Sequence, residues 1–194
     1  MANKRDIRRD IKQLQKIKKT IRKEIAHLKK NHTMEWQEKM SALILSKLEE
    51  TDQFRNARSI AIYHAIPGEV QTESFINKWH KTKQLYLPVI ENDFLKLQPY
   101  HGPDNLKAGV FGILEPESNH PVDVSDISLI IVPGVAFDKN RNRMGRGKGY
   151  YDKLLKHSQA CKIGICYEFQ LIDEVPSESF DVQMDVVITE SKVI

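Results

Sequence analysis

Apolar residues recur every three or four positions at Ile7, Ile11, Leu14, Ile17, Ile21, Ile25 and Leu28. That is the period of a helix with one narrow apolar stripe, which is expected to lie against the rest of the domain. A second helix is predicted after Thr33, whose hydroxyl can cap a first turn holding Glu35 and Trp36, and it continues through Ala42, Leu43, Leu45 and Leu48. The period then changes. Residues 59–66 (SIAIYHAI) read as a strand ending at Pro67-Gly68. Residues 84–89 (QLYLPV) and 94–100 (FLKLQPY) read as two more, around the turn residues Glu91, Asn92 and Asp93. Residues 129–132 (LIIV) halt at Pro133-Gly134, and 162–167 (KIGICY) and 185–189 (DVVIT) complete the strand set. Thr72 is placed to cap a helix through Phe75, Ile76 and Trp79, and another helix begins at Tyr150. Strands separated by helical segments, several of them apolar throughout, predict a mostly parallel sheet covered on both faces. The expected fold is one three-layer α/β/α domain over residues 1–194, with a long basic N-terminal helix. Residues 101–125, rich in Gly, Pro, Asn and Asp, are expected to form a long loop. Within it Phe111 could stack on a flat heterocycle or anchor the loop.

Composition narrows the setting. With 194 residues, 40% hydrophobic and 29% charged, the chain can bury a core without disulfides or a structural metal. No apolar run is long enough to span a bilayer, and the start ANKRDIRRD has no apolar signal region. A cytoplasmic protein without a membrane partner is expected. Cys161 and Cys166, five residues apart in a predicted strand, would stand roughly 16 Å apart on opposite faces and are expected to be free thiols. The formal net charge is only +4, but Lys4, Arg5, Arg8, Arg9, Lys12, Lys16, Lys18, Lys19, Arg22, Lys23, Lys29 and Lys30 crowd the first helix. Three readings of that face stay open: solubility, a few cations reaching a phosphate, or nucleic acid. No aromatic residue lies among those cations to stack on bases, so a nucleic-acid partner is not expected.

The stretch 130–155, IIVPGVAFDKNRNRMGRGKGYYDKLL, concentrates the candidate chemistry. Gly145, Gly147 and Gly149 alternate with Arg146 and Lys148 between a buried strand and a helix start. Such a loop can turn several backbone N–H groups and two cations toward one anion; the alternative is a surface loop whose cations are merely solvated. It is not a Walker A loop, because Lys148 is followed by Gly149, and its glycine spacing fails the dinucleotide fingerprint. Ligands favour the loops beyond the carboxyl ends of strands in α/β sheets, which puts His64 and Glu69 at a plausible site edge. Their plain alternatives are a hydrogen-bonded strand-end histidine and a charged turn residue.

The run PGVAFDKNRNRMGRGKGYYD resembles the signature of the 5-formyltetrahydrofolate cyclo-ligases, also called 5,10-methenyltetrahydrofolate synthetases. The resemblance extends to KRDIR near the start, to GEV after the first strand, to FGILEP and to the closing MDVVIT. It implies conversion of 5-formyltetrahydrofolate to 5,10-methenyltetrahydrofolate with ATP and Mg2+, releasing ADP and phosphate through a phosphorylated formyl (imino-phosphate) intermediate. Carried across by position, Arg146 and Lys148 become the catalytic cations. Nucleotide contacts fall on Lys4, Arg5, Asp6, Ile7, Arg8, Arg143, Met144, Gly145, Arg146, Gly147, Lys148, Gly149, Tyr150 and Tyr151. Folate contacts fall on His64, Glu69, Arg146, Gly147, Lys148, Gly149 and Tyr150. Asp152 and Asp185 match magnesium ligands, although a carboxylate at a helix start and one at a strand edge have ordinary structural uses. Only small-molecule partners and a monomer are expected. Two departures stand out: Met144 replaces a usual leucine, and Arg141 stands where the family usually has glycine. If that position needs positive φ, arginine costs about 1 kcal/mol, unless Asn140 takes the conformation instead. The rival functions are a non-catalytic RNA-binding protein using the basic helix and a different phosphate-handling α/β enzyme, such as a small-molecule kinase.

Overall fold

The computed structural model of the chain describes residues 4–109, 114–116, 120–178 and 180–194. Three helices come first, α1 (Lys4–Lys29), α2 (Met34–Glu50) and α3 (Asp52–Asn56). Thr33 caps α2 as expected, its hydroxyl oxygen accepting from the Trp36 N–H at 3.2 Å, and Thr51 repeats the device for α3 on the Phe54 N–H. There follow β1 (Ser59–Ala61), α4 (Glu73–Trp79), β2 (Gln84–Glu91), β3 (Phe94–Tyr100), β4 (Leu106–Ala108), β5 (Leu114–Pro116) and β6 (Leu129–Val132). The last elements are β7 (Ala136–Asp138), β8 (Arg143–Met144), α5 (Tyr150–Leu155), β9 (Cys161–Ile165), β10 (Leu171–Ile172) and β11 (Val186–Ile188).

Six strands form the main sheet in the order β11-β9-β6-β1-β2-β3, parallel except for the antiparallel edge strand β3. At its centre all four residues of β6 are buried, because both faces are covered. Ile60, Ile62, Leu129, Ile131, Ile163 and Ile188 pack under α2 and α4 on one face. Ala61, Ile130, Val132 and Val187 meet Leu155 of α5 and Phe137 on the other. The mostly parallel α/β sheet is therefore as predicted.

Several local expectations change. The apolar stripe of α1 docks only in part: Ile25 is buried and Ile21 packs beside it, whereas Ile11 and Ile17 are each 43% exposed. A 26-residue helix is about 39 Å long and outruns the body beneath it. The strand expected over 59–66 pairs only through Ala61. Ile62 gives one more hydrogen bond to Tyr86 O, and then the Tyr63 carbonyl turns to accept from the Thr72 hydroxyl at 2.7 Å. The 101–125 segment contains the β4–β5 hairpin and two single-turn helices, Pro103–Asn105 and Val124–Asp126, while Phe111 lies outside the described residues. A three-stranded sheet, β10-β7-β8, was not anticipated. Its hairpin turn resolves the question at residue 141: Arg141 itself takes the left-handed conformation, with φ 65°. Cys161 and Cys166 are free, as expected.

Candidate functional site

The β7–β8 hairpin starts beyond the carboxyl end of β6, runs back over the sheet, and returns its chain to that same end at residues 145–149. There Gly147 (φ 100°) and Gly149 (φ 69°) hold conformations that side chains disfavour. Arg146 and Lys148, between them, are exposed. Arg146 Nη2 reaches Glu69 Oε1 at 3.1 Å, so the loops after β8 and β1 meet in a single ion pair. The Glu69 side chain is 11% exposed and that of Arg146 is 57% exposed, so the carboxylate is the fixed partner. Lys148 has no hydrogen-bond partner among the described residues. The half-buried His64 also has none, and it stands between β1 and the Glu69 loop.

Two further cations come from α1. Arg22 Nε donates to Gly145 O at 3.0 Å, and its guanidinium lies so close to Gly147 that a Cβ there would sit 3.3 Å from it. Lys29 lays its aliphatic stem on Gly68, leaving its ammonium without a hydrogen bond among the described residues. Burial lowers the affinity of Lys29 for its proton; nearby Glu69 opposes that shift and Arg146 adds to it. Seven residues apart, Arg22 and Lys29 occupy one helix face beside the docked Ile21 and Ile25. That spacing was present in the sequence, but the crowd of other cations concealed it.

Other expected residues lie elsewhere. From Arg22 back to Arg8 and Lys4 is fourteen and eighteen helical residues, about 21 and 27 Å along α1. The structure therefore does not bring Lys4, Arg5, Asp6, Ile7 and Arg8 to the loop, and their side chains lie outside the described part. Met144 packs in a core with Ile25, Ala136 and Val175 rather than facing a ligand. Arg143 is also internal. Its side chain, 3% exposed, bonds Asp152 Oδ1 at 2.8 Å and Pro133 O at 3.4 Å, lies 5.6 Å from the Tyr151 ring, and leaves Nε unpartnered. Tyr151 has its phenol pKa driven upward by burial, with Glu69 adding to the shift and Arg143 opposing it.

The two aspartates do not converge. Asp152 is tied through Arg143 to Pro133, at the carboxyl end of β6. Asp185 accepts from the Lys162 N–H at 2.7 Å and pairs with the Lys162 ammonium at 3.0 Å. Lys162 is in register with Ile130, three residues before Pro133, so the two anchors differ by roughly 10 Å along the strands. Each carboxylate is engaged by a cation of this chain, Asp152 by Arg143 and Asp185 by Lys162, and both would have to leave those partners to share one magnesium ion. Among the described residues no group of three His, Cys, Asp or Glu side chains could hold a metal.

A family model described as the 5-formyltetrahydrofolate cyclo-ligase family matches residues 2–190. The chain belongs to the 5-formyltetrahydrofolate cyclo-ligase family. A cyclo-ligase of that name from Haemophilus influenzae is 31% identical over 84% of this chain and 92% of its own length. The Escherichia coli one is 30% identical over 83% and 93%. Among solved structures, the Aquifex aeolicus 5,10-methenyltetrahydrofolate synthetase superposes with TM-score 0.84 at 37% identity, covering 91% of each chain. A 5,10-methenyltetrahydrofolate synthetase from Mycoplasma pneumoniae gives 0.73 at 25% identity, over 89% of this chain and 98% of that one.

Proposed function

We propose that this chain performs the cyclisation for which its family is named, closing 5-formyltetrahydrofolate to 5,10-methenyltetrahydrofolate with ATP, at the meeting point of residues 66–72 and 145–149. The formyl oxygen attacks the γ-phosphorus and ADP leaves. N10 of the folate then attacks the activated carbon, the carbon–oxygen bond breaks, phosphate departs with its electron pair, and N10 loses its proton. A formyl oxygen leaves poorly until it is phosphorylated, and phosphoryl transfer depends on alignment and on cations around the moving group.

Each residue type suits a part of that sequence. Lys148 and Arg146 are the exposed cations that close on the triphosphate and offset charge on the equatorial oxygens in transfer. Arg22 holds the loop through Gly145 O, and Lys29 supplies an ammonium with no hydrogen-bond partner among the described residues. Glu69 and His64 take the donors and acceptors of the folate ring. Magnesium would ride on the nucleotide's phosphates, with Asp152 the one carboxylate of the expected pair at this end of the sheet. Among the described residues no helix is long and apolar enough to cross a membrane; a cytoplasmic monomer acting on small molecules is the setting we infer.

The observation that carries this reading is the Arg146–Glu69 pair at 3.1 Å, flanked by Arg22 and Lys29. The test mixes purified protein, ATP, magnesium and 5-formyltetrahydrofolate and follows the absorbance of the methenyl product. Product that depends on both substrates is expected. ATP hydrolysis indifferent to the folate would instead indicate another phosphate-handling enzyme.

A further inference from the structure

Residues 66–72, which carry Glu69, are fastened from beneath by buried side chains remote in sequence. Tyr167, fully buried just after β9, places its hydroxyl 3.0 Å from Glu69 O, 2.9 Å from Ser41 Oγ and 3.4 Å from Gln37 O. The Gln71 N–H donates to that same Ser41 Oγ at 2.9 Å. Carbonyl oxygens only accept, so one proton order leaves no hydroxyl hydrogen unused. Gln71 N–H gives to Ser41, Ser41 gives to Tyr167, and Tyr167 gives to the Glu69 carbonyl, the nearer of its two carbonyls. Burial pushes the Tyr167 phenol up to about 12, with the Ser41 hydrogen bond acting the other way, so it remains a donor at neutral pH. The following residues have separate tethers: the Tyr63 hydroxyl donates to Val70 O at 3.0 Å, and Thr72 is bonded to Tyr63 O. The Glu69 N–H donates to Ile66 O at 3.0 Å and the Ile66 N–H to Glu69 Oε2 at 3.4 Å, so the Tyr167 bond is the side-chain hydrogen bond that holds the Glu69 carbonyl.

We propose that Tyr167 and Ser41 are positioning residues for the folate, fixing through the Glu69 carbonyl the place where the Glu69 carboxylate meets the ring. The proposal rests on the reading of Glu69 as a folate contact. Without the phenolic hydroxyl, the part-buried Glu69 carbonyl loses its side-chain donor and the peptide after Glu69 is held only from the Ile66 side, which lets the carboxylate shift but leaves the glycine-rich loop on its own supports.

The experiment compares Tyr167→Phe, Ser41→Ala, their double variant and Glu69→Gln, measuring KM for 5-formyltetrahydrofolate, KM for ATP, kcat and Tm. Tyr167→Phe is expected to raise the folate KM about 3- to 10-fold while the ATP KM stays within about twofold. Ser41→Ala should move the folate KM in the same direction by less, and the double variant should be no worse than Tyr167→Phe, because the two hydroxyls act in series. A raised folate KM in Glu69→Gln with an unchanged one in Tyr167→Phe overturns the positioning role and leaves the Glu69 reading standing. An unchanged folate KM in Glu69→Gln overturns the Glu69 reading itself. Equal rises in both KM values together with a lower Tm reduce Tyr167 to a structural residue and overturn the proposal. If Tyr167→Phe does not fold, the KM split in Ser41→Ala decides.

Discussion

The two loops that meet at Arg146 and Glu69 are held in opposite ways. Residues 66–72 rest on buried hydroxyls from Tyr63, Tyr167 and Ser41, which hold the backbone that carries the Glu69 carboxylate. Residues 145–149 are fixed at their base, where Arg143 bonds Asp152 and Pro133 and Arg22 bonds Gly145, but the tips of Arg146 and Lys148 stand in solvent. A planar ring read by hydrogen bonds needs a rigid partner, because misplaced donors cost their full desolvation. A triphosphate tolerates mobile cations, since point charges act over a range of angles. Under the proposed function, the contrast suits one loop to recognition and the other to charge compensation.

Lys148→Ala should break the contrast most visibly. Turnover is expected to fall by about 100- to 1,000-fold, with Tm unchanged because Lys148 has no partner among the described residues. A drop in Tm would mean that the loop tip is structural after all. Next in size, Arg143→Ala empties a buried cation site and strands the Asp152 carboxylate, and should cost about 3 kcal/mol in a urea titration, against a smaller loss for Arg146→Ala, whose guanidinium is 57% exposed and whose partner Glu69 keeps the Ile66 N–H. Equal costs would erase the distinction between rooted base and free tip.

Lys29→Met sharpens the comparison, because Lys29 lies between the loops. Its affinity for a proton is lowered in the folded protein from the ordinary value of 10.5. A lysine of that kind opposes folding at every pH below its lowered pKa, and the penalty disappears above 10.5. The variant should therefore be slightly more stable at neutral pH, by less than about 1 kcal/mol, with the gain fading toward pH 11 while substrate affinity falls. Greater stability without any loss of affinity would remove Lys29 from the site. Smallest of all, Arg141→Gly relieves the positive φ at the far end of the hairpin and should add about 0.5 kcal/mol, the left-handed strain less the backbone entropy of glycine. Turnover should not change.

What could be read from the chain depended on how local each feature is. LIIV at 129–132 and FLKLQPY at 94–100 became strands with the predicted bounds, because a run apolar throughout and a clear turn each carry their own signal. The turn itself has Asn92 and Asp93 at positive φ, a conformation these residues tolerate best after glycine. Strands of two or three residues such as β8 and β10 carry no period and were invisible. In the site, Arg146, Lys148 and Glu69 were legible from glycine spacing and strand-end position. Arg22 and Lys29 had a usable signal, being two turns apart beside the buried stripe, but the resemblance at residues 4–8 pointed to the other end of the helix. Tyr167 and Ser41 had none: a hydrogen bond between residues 126 apart is written only in the fold. Asp152 and Asp185, matched as a pair in the sequence, have separate cations in the fold, Arg143 and Lys162, which sequence spacing does not reveal.

Strand order also governs when this protein can begin to work during its synthesis. β6 takes its place between β1, already made, and β9, still to come, so a nascent chain that has just delivered LIIV offers four of the six strands with one raw flank. The Tyr167 hydroxyl that bonds Glu69 O arrives later still, and Ile194 covers the outer strand through paired bonds with Val187. A nascent chain that has passed residue 149 but not yet reached Val187 and Ile194 therefore already contains the glycine-rich loop yet lacks a covered rim to its sheet.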